Sequence, residues 1–345
     1  MTMNDKQSLL DMLDQADNQR NARRSFIRMC GGAAAMAGGL TMLSGCGDDD
    51  DDDVAVTPTP TPAPTTGVTD VDILNFALSL EYLEGNYYSY AVSGAGIAAG
   101  LQTGTGTQGS VVTGSGAGAA RQVSFSDPVV QQFAREIAAD EIAHITFLRT
   151  TLGAAAAAQP AINLSGSASV SIGGAATVGA FTAAARAAQV IGPNEIFDPF
   201  LNDENFLIGS YLLTDVGVTA YRGSARLITN KTFLEASAGI LATEAYHDGV
   251  IRSSLYVRGL AAPTLFTRIQ QISDARDGLD GATDTDQGIG TAAEANLVPT
   301  DANSLALGRT AQQVLNVVYN NRAAVSGGGF FPAGVNGTIR TSGAN

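Results

Sequence analysis

The chain has 345 residues, room for one large domain or two, with 45% hydrophobic and only 15% charged residues. A formal net charge of −14 argues against nucleic-acid binding, because phosphate recognition rests on clustered Lys and Arg. The two cysteines, Cys30 and Cys46, both fall near the N-terminus, which excludes a disulfide-built domain and a Cys-ligated zinc site.

Residues 1–21 are polar. Arg23-Arg24-Ser25-Phe26-Ile27-Arg28 then precedes a Gly/Ala-rich apolar run at 29–44, a pattern expected of a twin-arginine export signal. An ordinary basic n-region or a short anchor would share the paired arginines, but a spanning helix needs about 20 apolar residues and this run is short and rich in Gly. The run ends in Leu43-Ser44-Gly45-Cys46, which looks like a lipobox with Cys46 as the lipidated residue. Six aspartates at 48–53 and the Thr-Pro repeats at 57–62 follow and read as an acidic, polyproline II-type stalk. Residues 1–46 are therefore expected to be an export signal and 47–67 a linker. The expected location is periplasmic or cell-envelope, with the membrane as a partner through the lipid on Cys46.

From residue 70 the periodicity becomes helical. Ile73, Leu74, Ala77, Leu80, Glu81, Glu84 and Tyr88 share one face of a helix over 70–88, and two carboxylates on a face meant for burial need partners. Residues 92–124 are rich in Gly, Ser and Thr and read as a long loop with room for a hairpin. Pro128 opens a second helix over 128–152. A strand pair near 168–172 and a short helix over 178–190 follow, then a third helix over 203–228 and a fourth over 232–258. Asn230 between the last two predicts an antiparallel helical hairpin. Beyond 262 the pattern predicts short helices at 264–277 and 308–322, separated by an acidic Gly-rich loop. The fold class expected is mainly α: a four-helix bundle over 68–260 with long Gly/Ser-rich insertions, and a C-terminal extension, 261–345, packed on it.

Both histidines of the chain stand in the same device: Glu141-Ile142-Ala143-His144 on the second helix and Glu244-Ala245-Tyr246-His247 on the fourth. Residues three apart lie one turn apart on one helix face, so each Glu and its His point the same way. A dinuclear carboxylate site takes Glu-x-x-His from two helices and one carboxylate from each of two others. The carboxylates offset the repulsion between two divalent cations, and neutral imidazoles complete coordination without excess charge.

Asp72-Ile73-Leu74-Asn75-Phe76-Ala77-Leu78-Ser79-Leu80-Glu81-Tyr82-Leu83-Glu84 resembles the opening helix of the ferritin-like domain family that includes desiccation-related proteins. Val216-Gly217-Val218-Thr219-Ala220-Tyr221 and Ala242-Thr243-Glu244-Ala245-Tyr246-His247 resemble its third and fourth helices. The resemblance implies a ferritin-like bundle with a metal site built from Glu81, Glu141, His144, Asp215, Glu244 and His247, holding two iron ions, with manganese accepted by the same ligands. Glu84 would stand behind the ligands or substitute for one. Tyr88 occupies a position where related proteins often carry Tyr, and Asp140 and Asp248 would orient imidazoles. The family tends to carry an acidic pair, often Glu-Asp, where this chain has Thr214-Asp215. The resemblance thus leaves Asp215 as a ligand or as a hydrogen-bond partner of a His, and the site as complete, asymmetric or half-lost.

Two functions are expected from different classes. One is an exported dinuclear metalloprotein with oxidase or peroxide-reducing activity, dependent on an external electron donor because no Cys pair supplies a built-in redox centre. The other is a non-enzymatic envelope or stress-related scaffold with a degenerate or metal-free site.

Overall fold

Thr69 starts the first helix with a capping box: its backbone N–H donates to Asp72 Oδ2 at 2.8 Å, and its hydroxyl accepts from Asp72 N. In the computed structural model, which describes residues 67–345, this helix is α1, Asp70–Ser93, and it stops at Gly94 in the left-handed region, φ 77°. The expected export signal, Cys46 and the expected linker up to residue 66 lie outside the described residues. Asp127 caps α2, Pro128–Leu152, with Pro at its first position. Asn202 caps α4, Asp203–Ala225, and Asn230 caps α5, Lys231–Ala261. Between α2 and α4 lies the short α3, Ala180–Ala187.

Helix α1 packs on α2 and on α4, and α5 packs on α4 and α2. All four contacts are antiparallel. Asn75 near the start of α1 donates to Ala155 O just past the end of α2, and Glu81 of α1 meets Tyr221 near the end of α4. Asp127 and Arg258 pair at one end of α2 and α5, Asp140 and His247 farther along. Asp70 accepts from Thr229 N and Asn230 N, which ties the α4–α5 turn to the start of α1. This is a ferritin-like, mainly α architecture.

Residues 73–89 of α1 are buried all round, not on one face as the periodicity suggests. The reason is the insertions. Residues 99–109 and 153–163 lie over the side of α1 away from the bundle axis, where Tyr82 Oη donates to Leu101 O and Ala157 O, and Asn86 donates to Gln159 Oε1. The hairpin allowed for in 92–124 is not formed. Instead β1, Val111–Val112, pairs in parallel with β2, Ile162–Asn163, joining the two insertions. The strand pair expected near 168–172 is an antiparallel hairpin of β3, Val170–Ile172, and β4, Ala175–Thr177.

Two further helices complete the described chain: α6, Thr264–Asp280, against α5, and α7, Ala311–Val318, against α4. The acidic loop between them is anchored from within, because Asp286 is buried and accepts from Arg276 and Arg309. No described helix is long and apolar enough to cross a membrane.

Candidate metal centre

Glu81 from α1, Glu141 and His144 from α2 and Glu244 from α5 are all buried, and one ligand atom of each lies within 4.8 Å of the others. These four form a buried group able to hold a metal ion. His144 Nδ1 stands 3.2 Å from Glu81 Oε2, 3.5 Å from Glu244 Oε1 and 3.8 Å from Glu141 Oε2. His247 completes the cluster from the far side, its Nδ1 3.3 Å from Glu141 Oε1 and 4.0 Å from Glu244 Oε1. Both Glu-x-x-His pairs thus face one another across the bundle, each on one face of its own helix as i, i+3 spacing requires.

The cluster strains its own electrostatics. Burial, then the neighbouring Glu81 charge, pushes Glu141 up to about 8, and burial with the Glu141 charge pushes Glu244 up to about 8. Glu84, one turn beyond Glu81 and also buried, is raised well above the ordinary carboxylate range by burial and by Glu244, Glu141 and Glu81. Burial would raise Glu81 too, but its contact with His144 holds it below its ordinary value. Burial opposes charge on His144 as well, yet three surrounding carboxylates raise it far above its usual 6.5.

Both oxygens of Glu141, both of Glu244 and Nδ1 of His247 are buried without a hydrogen-bond partner. Buried polar atoms are seldom left so, and here the orphaned atoms converge on one another. Carboxylate oxygens with imidazole nitrogens form a donor set suited to first-row divalent cations. The residues therefore fit a metal.

Asp215 does not join them. It is buried on the opposite side of α4, where Arg252 Nη1 donates to Oδ1 at 3.0 Å and Arg276 Nη2 to Oδ2 at 2.6 Å. Burial alone would raise Asp215, but the two guanidinium groups hold it below its ordinary value. With this commitment it is neither a ligand nor the partner of an imidazole. Asp248 goes with it: it lies 4.0 Å from Arg252 Nε, facing this ionic network and not a His ring. Asp140 Oδ2 stands 3.1 Å from His247 Nε2, and Nδ1 of that ring faces the cluster.

Tyr88 bonds to Thr214, its Oη 2.8 Å from Thr214 Oγ1, and Thr214 Oγ1 donates to Glu84 Oε2 at 3.2 Å. Tyr82 and Tyr87 bond to backbone carbonyls away from the cluster, and Tyr246 is 78% exposed. The tyrosine that touches the site is Tyr221, which donates to Glu81 Oε1. Gly217 is also part of the site, because a Cβ there would lie 2.7 Å from Glu84 Oε1 and 3.0 Å from Glu244 Oε2. Thr214, Gly217 and Tyr221 follow i, i+3, i+7 spacing on one face of α4, a signal that marks them as neighbours once Thr214 is placed inward.

A family model described as Ferritin-like domain matches residues 69–257. The chain belongs to the ferritin-like domain family. Among characterised relatives, this ferritin-like chain is 26% identical over 290 residues to "Ferritin-like catalase Nec2" of Nesocodon mauritianus, covering 80% of this chain and 86% of the relative. It is also 26% identical over 260 residues to "Desiccation-related protein PCC13-62" of Craterostigma plantagineum, covering 72% of this chain and 76% of that one.

Proposed function

We propose that this ferritin-like protein is an exported enzyme that disproportionates hydrogen peroxide at a dinuclear iron centre. The observation that carries the reading is the set of five orphaned buried polar atoms on Glu141, Glu244 and His247, converging with Glu81 and His144. Glu81, Glu141, His144, Glu244 and His247 would hold the ions. Bound redox-active cations supply the electron exchange by which one peroxide is oxidised to dioxygen while a second is reduced to two waters.

The residues around the cluster suit a small substrate. His144, with 9% of its surface accessible, is the most exposed of the five proposed ligands, and so little exposure favours a small substrate. Tyr221 and Asp140 fix Glu81 and His247 in place, as partners behind metal ligands commonly do. Disproportionation draws its electrons from the second peroxide, so the chain needs no external donor for this reaction. The name of the Nesocodon relative supports peroxide as substrate. Manganese fits the same ligands and is separated from iron by elemental analysis. The paired arginines at 23–24 and the Leu43-Ser44-Gly45-Cys46 segment support export and lipid anchoring.

The test uses the full-length protein purified in detergent without chelator. Elemental analysis is expected to give about two iron or manganese ions per chain. Added peroxide should release one dioxygen for every two molecules consumed, and both properties should vanish in the Glu141→Ala, Glu244→Ala variant. A wild-type protein that takes up no metal after anaerobic loading with Fe(II) or Mn(II) would overturn the proposal and leave the scaffold function.

A further inference from the structure

Glu84 is a buried carboxylate beside the cluster that the five proposed ligands leave without a role. Glu84 is 6% exposed, and no described Lys or Arg forms an ion pair with it. Its Oε2 is held by the Thr214 hydroxyl, which Tyr88 in turn engages. Its Oε1 points toward Gly217, where it and Glu244 Oε2 occupy the space a side chain would take. Kept ionised, a buried carboxylate with a hydroxyl as its partner is costly unless a cation stands opposite. The arginines of the neighbouring core do not serve, because Arg252, Arg276 and Arg309 are committed to Asp215, Asp280 and Asp286.

We infer that Glu84 is a metal ligand and that it defines the second metal position. The inference rests on the dinuclear reading and assigns its ligands. Glu81, Glu141, His144 and Glu244 surround one position. To the other the inference assigns Glu84 and Glu244, whose Oε1 and Oε2 meet over Gly217, together with Glu141 and His247, whose Nδ1 lies 3.3 Å from Glu141 Oε1. Glu141 and Glu244, whose oxygens have no protein partner, would be shared between the two positions. The usual dinuclear arrangement draws one single carboxylate from each of two helices. Here α4 presents Thr214 at this level and turns Asp215 to the arginines, so α1 supplies both carboxylates, one helical turn apart. Charge supports the count. Four ionised carboxylates and two neutral imidazoles balance two divalent cations, whereas one cation would leave two buried negative charges.

The experiment counts ions. Full-length wild type and Glu84→Gln are titrated anaerobically with Fe(II), bound metal is measured after desalting, and folding is followed by circular dichroism. The expected result is two ions on wild type and one on Glu84→Gln, with the fold unchanged. Two ions on the variant would overturn the assignment of Glu84 while leaving the dinuclear reading intact. Loss of both would also overturn it, since Glu84 would then support the whole cluster and not one position. A wild type that binds one ion or none would overturn the dinuclear reading and the inference with it. If Glu84→Gln does not fold, Glu84→Asp keeps the charge but withdraws the carboxylate by one methylene. The second ion is then expected to bind at least tenfold more weakly, and unchanged binding would overturn the proposal.

Discussion

Tyr221 donates its hydroxyl hydrogen bond to Oε1 of Glu81, while the other oxygen of the same carboxylate faces Nδ1 of His144 at 3.2 Å. Glu81 is therefore held from two helices, with Tyr221 on α4 and His144 on α2. Removing the hydroxyl alone should loosen it without emptying the core. Tyr221→Phe is expected to lower metal affinity by about 10- to 100-fold, the usual effect of losing a partner behind a ligand. Its stability should fall by no more than about 1–3 kcal/mol, the range for leaving a buried hydrogen-bond partner unsatisfied. Metal titration and urea denaturation of the same variant check the two halves.

Asp215 carries the opposite expectation. It neutralises Arg252 and Arg276 in a network that continues through Asp286 to Arg309. Asp215→Ala would take from Arg252 its nearest carboxylate and leave Arg276 with Asp286 alone, and breaking a buried pair from one side costs about 3–5 kcal/mol. The folded fraction should still bind its full complement of metal, because no ligand has been touched. Chemical denaturation followed by elemental analysis of the folded material tests this; loss of metal with unchanged stability would restore Asp215 to the ligand set.

The contrast between Glu141 and Asp215 shows what the sequence made legible. Glu141–His144 and Glu244–His247 were readable because helix geometry is local: residues three apart share one helix face, whatever surrounds them. The partners of Asp215 stand 37 and 61 residues away, and no periodicity within α4 says which side of the helix meets arginine. The burial of α1 was hidden for a related reason. Its outer wall is made of Gly-rich segments whose composition reads as open loop, yet whose backbone carbonyls accept from Tyr82 and whose Gln159 meets Asn86. Tyr221 lay inside a segment already noted, but its contact with Glu81 depends on how α1 and α4 dock.

Metal removal should make stability strongly dependent on pH. In the metal-free protein Glu141 and Glu244 titrate near 8, raised from an ordinary 4.5 by burial first and by neighbouring carboxylates second. A folded-state value above the unfolded one means that the folded protein favours the protonated form. The stabilisation is fully present below about 4.5 and is lost as pH rises toward 8. His144, also raised, acts in the same direction, while Glu81, lowered, changes stability only below about 4.5 and leaves this window untouched. The melting temperature of the metal-free protein is expected to fall between pH 5 and 8. The metal-loaded protein should not show this fall, and loading near pH 7 should release protons. Scanning calorimetry across pH and metal titration in buffers of different ionisation enthalpy measure both effects.

Gly217 separates the site from the scaffold most sharply. It lies inside α4, where Ala is favoured over Gly by about 1 kcal/mol, so Gly217→Ala should help the helix as a helix. The added methyl would lie 2.7 Å from Glu84 Oε1 and 3.0 Å from Glu244 Oε2, and both contacts are with the ends of flexible side chains that can move aside in the metal-free protein. They cannot move aside and still hold an ion between them. The variant is expected to keep its metal-free stability within about 1 kcal/mol, a difference of the size of the propensity gain, while binding the second ion more than tenfold more weakly. Urea denaturation without metal and anaerobic Fe(II) titration give the two numbers. Full metal binding by Gly217→Ala would mean that Glu84 and Glu244 do not share an ion, whereas a large loss of metal-free stability would mean that α4 packs on α1 too closely for the site to have made the glycine necessary.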